Sequence, residues 1–445
     1  MKNPLAIIGV ATALSELGFA SSYEDLSCLP PPCYQTNSCI DYECYVPLYQ
    51  TVAGCDTFVS INALYWFARE RNFYYSIQGT ELPIGELVNY PVTRTNSSLF
   101  TLLNQKGKSL GTSWSPGVRV EIGWGADCND WDLGLNWTYF HNQKTNSCSV
   151  PPFGFLQSSL LEFEFFPGPG QPAIFNPWVN HAPLSAYQDP NLEQIGGGPN
   201  GVYFQHVKAN WRLTLNDIAL SIGRTFWMRN GLTFRPYAGV RGAWTRTQFQ
   251  TKSLLQNNVD LSVFTKNNVN FILIDRFIDH FWGVGVHLGI EPSWYFCSNW
   301  SIFGNFDAAL IYGTARSKKK EHYRNQASET GVFAGRHMYS SDYDRVAFKS
   351  SFSSMQPIFD LALGLRFEQS FCSGRYHSEI DLAWEHHLWL ENNSRMQTAD
   401  SGLQVFQPGA FAISNLFLEG VSPKTELVSS TLNYGGPILR IRFDF

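Results

Sequence analysis

The stretch FWGVGVHLGIEPSW, residues 281–294, sets Trp282, Val284, Val286, Leu288 and Ile290 on one parity. Gly283, Gly285, His287, Gly289 and Glu291 fall on the other. Successive side chains of a strand point to opposite faces, so this stretch has one apolar face and one small or polar face. PGVRVEIGWG repeats the pattern with Val118, Val120, Ile122 and Trp124 against Arg119, Glu121 and Gly123. DWDLGLNWTYF repeats it with Trp131, Leu133, Leu135, Trp137 and Tyr139 against Asp132, Gly134, Asn136 and Thr138. Segments near 57–69, 203–227, 232–245, 300–312, 356–367, 375–390 and 434–445 behave alike. No segment carries a capped 3.6-residue period. The strands are about 10–14 residues long, whereas soluble strands usually run ~5–6. Ten residues at ~3.4 Å each, tilted near 45°, rise ~24 Å, the height of the ~25 Å apolar band of an outer-membrane barrel.

The connections alternate in length. ADCND (126–130), MRNG (228–231), CSN (297–299) and SFCSG (370–374) are short, and the intervening ones, near 70–115, 142–202, 246–280, 313–355 and 391–433, are long. Short turns on one rim and long loops on the other are what a membrane barrel needs. Trp124, Trp131, Trp227, Trp294 and Trp300 flank the short turns, where an indole keeps its ring buried and its N–H wet at the headgroup level. The pattern predicts an all-β, transmembrane, antiparallel up-and-down barrel. Ten strands are clear; a hairpin hidden in 153–166 brings the expectation to about 12, within 10–16.

The rest of the composition agrees. After residue 20 no apolar run reaches the ~18 residues of a spanning helix. A net charge of −5 gives no case for nucleic acid. The start, MKNPLAIIGVATALSELGFASS, reads as a signal peptide over residues 1–20; a Cys- and Pro-rich periplasmic segment follows over 21–55, and the barrel over 56–445. Five of the nine cysteines, Cys28, Cys33, Cys39, Cys44 and Cys55, lie in that segment, separated by 4, 5, 4 and 10 residues. No zinc spacing results. Cys128, Cys297 and Cys372 sit in short turns, so these eight fall on the predicted periplasmic face as disulfide candidates. Cys148 alone is placed in an outer loop.

The final segment, ILRIRFDF, puts Leu439, Ile441, Phe443 and Phe445 on one face, and Arg440, Arg442 and Asp444 on the other. It is expected to close the barrel against the first strand. Its aromatic end resembles the signal that outer-membrane proteins present to the barrel-assembly machinery. Parity also assigns the lumen. Its basic positions are Arg119, Lys208, Arg212, Arg235, Arg241, Arg366, Arg440 and Arg442. Its acidic ones are Glu121, Asp132, Glu291, Asp307, Asp360, Glu379, Asp381 and Glu385. Equal numbers argue against strong ion selectivity. If 375–390 neighbours the closing strand, its acids pair with Arg440 and Arg442. These charges either line a water-filled pore or fill a plugged barrel with ion pairs.

INALYWFARE, WRLTLNDIALSIGRTFWMRNGLTFRPYAGVRGAW, FWGVGVHLGIEPSWYFCSNWSIFGNFDAALIYG, DLALGLRFE and DLAWEHHLWL resemble the Legionella-type pore-forming major outer-membrane protein family, which includes the porins of chlamydia-related bacteria. The resemblance covers most of 57–445 and is most specific over 206–245 and 281–313. Segments 142–202, 313–355 and 21–55 stand outside it. It implies an outer-membrane porin passing small hydrophilic solutes and ions. No cofactor, metal or nucleic acid is expected. The expected partners are outer-membrane lipid or lipopolysaccharide, the barrel-assembly machinery, and a second copy or disulfide-linked envelope proteins. Two other classes compete: a structural or adhesin barrel, and a phospholipase-type enzyme assembled from His386, Ser394 and Asn392. GVGVHLG lacks the following helix of a dinucleotide loop. His386 and His387 lie on opposite faces of a strand and do not chelate together. RSKKKEHYR (316–324) is a solvated tip, a phosphate-binding patch or an inward constriction.

The cysteine placement makes one prediction. Segment 21–55 is expected to be disulfide-linked to those turns or to neighbouring molecules. On non-reducing gels the second case gives larger species that collapse with reductant, and mass mapping finds the bonded thiols in either. Unchanged migration, with all eight thiols free by mass mapping, overturns it.

Overall fold

The computed structural model describes residues 57–71, 73–81, 102–126, 131–151, 156–157, 163–164, 172–178, 204–228, 231–261, 265–297, 299–331, 335–371, 376–399 and 424–445. The predicted signal peptide, the segment 21–55, and Cys28, Cys33, Cys39, Cys44, Cys55, Cys128 and Cys372 lie outside them.

Ten long strands carry the fold: β1 (Thr57–Glu70), β4 (Ser113–Ala126), β5 (Trp131–Ser149), β9 (His206–Arg224), β11 (Leu232–Leu261), β12 (Thr265–Cys297), β13 (Trp300–Gly331), β14 (Gly335–Phe371), β15 (Tyr376–Ala399) and β16 (Lys424–Asp444). Each pairs antiparallel with the next, and β16 pairs with β1, so the sheet closes. At the seam Phe58 faces Asp444 and Ile61 faces Ile441. Thr57 and Phe445 exchange backbone hydrogen bonds at 3.2 and 3.0 Å. The ten strands legible from alternation are the ten of the barrel. The region 153–166 adds none: β6 (Leu156–Gln157) and β7 (Phe163–Glu164) form a separate two-stranded ladder. A short β10 (Phe226–Trp227) lies beside β11.

The membrane band is visible as exposed apolar surface. Val286 and Leu288 of β12 are 62% exposed, and Leu363 of β14 is 64% exposed. Exposed Trp124, Trp131, Trp227, Trp294 and Trp300 mark the short-turn rim, as the sequence predicts. A second girdle, Trp114, Trp244, Trp282 and Trp384, marks the other. Trp282 and Trp294 bracket the band on β12; the strand between them rises roughly 29 Å at a 45° tilt. The lumen-facing glycines of GVGVHLG are spacers, not a nucleotide loop. A Cβ on Gly285 would collide with the Leu310 carbonyl, and one on Gly289 with the Tyr237 ring.

The strands do not stop at the second girdle. The stretches near 246–280 and 313–355, expected as long connections, are largely continuations of β11–β14. On β13 the run from Tyr312 to Gly331 adds on the order of 45 Å of wall beyond the membrane. There the polarity of the wall inverts. On β9, Val207, Ala209, Trp211, Leu213 and Leu215 are buried inward, while Lys208 and Arg212 are exposed. Outside the lipid an apolar side chain gains by turning to the interior, and a charged one by turning to water.

A small sheet receives those inward apolar residues. It contains β2 (Tyr74–Glu81), β3 (Leu102–Ser109) and β8 (Pro172–Phe175), in the order β3-β2-β8. Phe73 packs on Phe249 at 4.5 Å between ring centroids, and Trp178 on Phe277 at 5.7 Å. Asn176 Nδ2 donates to Thr251 Oγ1 and Ser253 Oγ, at 3.0 and 2.9 Å. Lys319 Nζ donates to the Trp178 carbonyl at 2.7 Å. All these wall residues face inward, so β2, β8 and the residues around them sit in the barrel mouth.

The band's location is testable by one substitution. Leu363→Arg should lower the stability of the refolded protein in bilayers by about 2–4 kcal/mol, read from urea-induced unfolding. A cost below about 1 kcal/mol is the interface value and would displace the midplane assigned here.

Candidate functional site

The lumen at membrane height is the candidate site. The alternation that turns Val284, Val286 and Leu288 to lipid turns His287 and Glu291 inward on the same strand, and each neighbouring strand does likewise. The inward charges form two tiers.

The tier nearer the outer rim centres on Arg241. Its Nε donates to both oxygens of Asp217 at 3.1 and 2.9 Å, and its Nη1 to Asp360 at 2.6 Å. Asp307 lies 3.3 Å from the same Nη1 and 2.8 Å from His287 Nδ1. The His387 ring bridges Asp360 and Glu385 at 2.7 and 3.2 Å. Glu385 then takes a two-pronged contact from Arg119 at 2.6 and 3.0 Å. This chain runs from β4 through β15, β14 and β11 to β9, across the barrel interior.

The tier nearer the short turns begins at Asp132, which Arg235 grips through Nε at 2.7 Å and through Nη2. Glu291 lies 3.4 Å from Arg235 and 2.9 Å from Arg366. Arg366 pairs with Glu379 and Asp381 at 2.9 and 3.1 Å. Arg440 also contacts both acids, with Asp381 at 3.1 Å. The predicted pairing of the acid-rich strand with the closing strand is therefore present, with Asp381 opposite Arg440 and Glu379 opposite Arg442. Arg442 bonds Asp444 at 2.6 Å and lies over the Phe58 ring. Glu121 accepts from Ser60 Oγ at 3.3 Å.

Above the outer tier the lumen is apolar and filled. Trp66 lies 4.7 Å from the His387 ring and 5.4 Å from Phe140 and from Tyr434. Trp389 completes the group, and all four large side chains are at most 1% exposed. The inserted sheet lies farther out.

Fourteen of the sixteen predicted lumen residues thus face inward. The other two, Lys208 and Arg212, are corrected: they point outward to solvent beyond the membrane, because β9 turns its apolar parity to the plug there. Asp217, His287, His387, Glu368 and Asp444 were missing from the sequence assignment. The parity of LNDIALSIG, with Ile218, Leu220 and Ile222 outward, was the available signal for Asp217. His387 belongs to the lumen network. His386 lies on the other face, near the Phe67 ring. The side chains of Asn392 and Ser394, the other two members of the enzyme reading, lie outside the described residues. In RSKKKEHYR, Lys318 and Lys320 face solvent, and Lys319 points inward.

One group of metal-capable donors converges among the described residues: Glu368, His377 and Glu379, all buried, with ligand atoms within 4.8 Å of one another. Arg366 already engages Glu379, and Tyr295 Oη donates to Glu368 at 3.2 Å, so these donors belong to the ion-pair tier. Cys148 is a free thiol. Cys297 is buried and has a partner outside the described residues.

The model of the Legionella pneumophila major outer membrane protein precursor family matches residues 55–445. The chain belongs to this family. A major outer membrane protein of this kind resides in the bacterial outer membrane, in keeping with the lipid-facing band. No curated protein matches the chain. Among solved structures it is similar to the outer membrane protease OmpT of Escherichia coli, at 7% identity and a TM-score of 0.32, over 88% of this chain and 99% of that one. It is also similar to the toluene transporter TodX of Pseudomonas putida, at 6% identity and a TM-score of 0.21, over 89% and 92% of the two chains. A Pseudomonas aeruginosa FadL homologue matches at 6% identity and a TM-score of 0.23, over 88% and 90%. At these levels the likenesses say nothing about what this major outer membrane protein does.

Arg241 is the test of the tiers. Arg241→Met leaves buried Asp217 and Asp307 and half-buried Asp360 without their shared cation and should cost about 3–5 kcal/mol, measured by urea unfolding of the refolded protein. Arg241→Met with Asp217→Leu should recover part of that loss. Neutrality of the single variant would show that these charges are hydrated rather than paired.

Proposed function

We propose that the protein is a gated outer-membrane porin, which passes small hydrophilic solutes and ions when the inserted sheet and the aromatic layer move aside, and whose filled lumen is its closed state. The observation that carries this reading is the charged lining at membrane height. Burying ion pairs is rarely the cheapest way to fill a barrel, because apolar residues of equal volume often stabilise as much or more. A lining of arginines and carboxylates is suited instead to a lumen that exchanges ion pairs for hydrated charges. Ten strands leave a narrow bore, between the filled eight-stranded barrels and the wide 16- to 18-stranded ones, so a small conductance is expected.

No catalytic role is part of this reading. The cysteines add an envelope role: Cys297, buried at the periplasmic rim, is read as one end of the disulfide framework that the N-terminal cysteines supply. The competing reading, a static structural or adhesin barrel, draws on the packed plug and the long outer hairpins.

Planar-bilayer recording separates the two. Wild-type protein should show brief, small openings, and Trp66→Ala with Trp389→Ala should raise the open fraction. Silence in both, from protein verified as folded and inserted, overturns the channel and leaves the structural barrel.

A further inference from the structure

The outer wall carries a feature the channel does not use. Just beyond the second girdle, pairing places two rows of outward side chains side by side. The lower row is Asn216, Trp244, Trp282 and Thr314; the upper is Thr214, Arg246, His280 and Arg316. All of them but Thr314 line a cleft of about 640 Å³. Trp244 and Trp282 are 43% and 50% exposed, at the height where indoles mark the membrane interface. The cations therefore stand where the headgroups of the outer leaflet begin.

The cleft opens into a wider basic field. Lys318 is paired directly opposite Lys349, and Lys208 directly opposite Lys252. Like charges facing each other across strands destabilise a sheet. From the girdle out to these lysine pairs, no outward position of β9 or β11–β14 carries a carboxylate, and among the described residues none forms an ion pair with Arg246 or Arg316. Farther out, the register sets Asp344 opposite His322 and Asp342 opposite Arg324. The whole chain carries a net charge of −5, so this concentration of cations is local. A multivalent anion seated over the rows would offset the repulsion, and the two indoles beneath offer an apolar wall to whatever carries it.

We propose that this cleft binds the phosphorylated sugar headgroup of lipid A in the outer leaflet, with Arg246 and Arg316 on phosphate and Trp244 and Trp282 against the upper acyl chains. The amphipathic demand selects a lipid over free phosphate: the cations and the indoles are engaged together only by a molecule with an anionic head and an apolar tail. Guanidinium groups suit the phosphate because they present paired donors in a plane.

The test uses full-length mature protein refolded into neutral phosphatidylcholine vesicles, with fluorescent diphosphoryl lipid A as probe. Arg246→Gln with Arg316→Gln should weaken binding about 30-fold, at about fivefold per cation. Lys208→Gln with Lys252→Gln, which removes the same charge farther along the hairpins, should change it less than about twofold. Dephosphorylated lipid A should bind neither protein, and millimolar inorganic phosphate should not displace the probe. Folding is checked by heat-modifiable migration, and should the first double variant fail that check, Arg316→Gln alone must still lower binding about fivefold. Equal losses in the two double variants, retention of dephosphorylated lipid, or displacement by inorganic phosphate would each overturn the site. Conductance plays no part in the readout.

Discussion

The seam between β1 and β16 is the contact on which the rest of the molecule depends. In hydrocarbon no water is available to a backbone N–H or C=O, so an unpaired sheet edge costs several kcal/mol per group. Pairing from Phe58 opposite Asp444 to Glu70 opposite Leu432 removes the edge and makes the cylinder possible. Closure also creates two surfaces of opposite chemistry on one sheet. Every strand must present its apolar parity to lipid, and whatever remains is committed to the lumen.

That commitment explains the ion-pair tiers. The lumen parity of a membrane strand has to be polar or small in order to differ from the lipid parity, and in a narrow bore those polar groups meet one another. Arg241 and Arg366 each contact carboxylates from more than one strand, and Arg440 contacts two carboxylates of β15. A planar guanidinium with five donors can do this where an ammonium on a flexible stem is poorly suited. The result is a pair of cross-members at two heights, with the Trp66, Phe140, Tyr434 and Trp389 layer above them.

Beyond the second girdle the solvent changes and the same backbone is read in reverse. The wall continues, but its apolar parity now belongs inside. The switch is visible along β9, where Leu215 is buried inward and Ile218, a few residues on, is exposed to lipid. Each strand keeps its regular alternation, and only the identity of the favoured face changes. The inserted sheet gives the inward apolar residues something to pack on, and the outward face, freed from lipid, collects the cations of the cleft.

Alternation alone determined the ten clear strands, the lipid face at membrane height, the short-turn girdle and most of the lumen residues, because a period of two needs only local backbone geometry and a two-sided environment. The further hairpin expected in 153–166 had no such alternation behind it, and the barrel does not contain it. Family membership was legible for the same reason, since the strand blocks carry the resemblance. Lys208 and Arg212 were assigned to the wrong face because parity says which residues share a face but not which face looks inward. That depends on where the membrane ends. The plug, the meeting of Arg119 with Glu385 across the barrel, and the alignment of Arg246, His280 and Arg316 were decided by the tertiary structure. Each joins residues far apart in the chain, and their distances are set by closure and register rather than by any local preference.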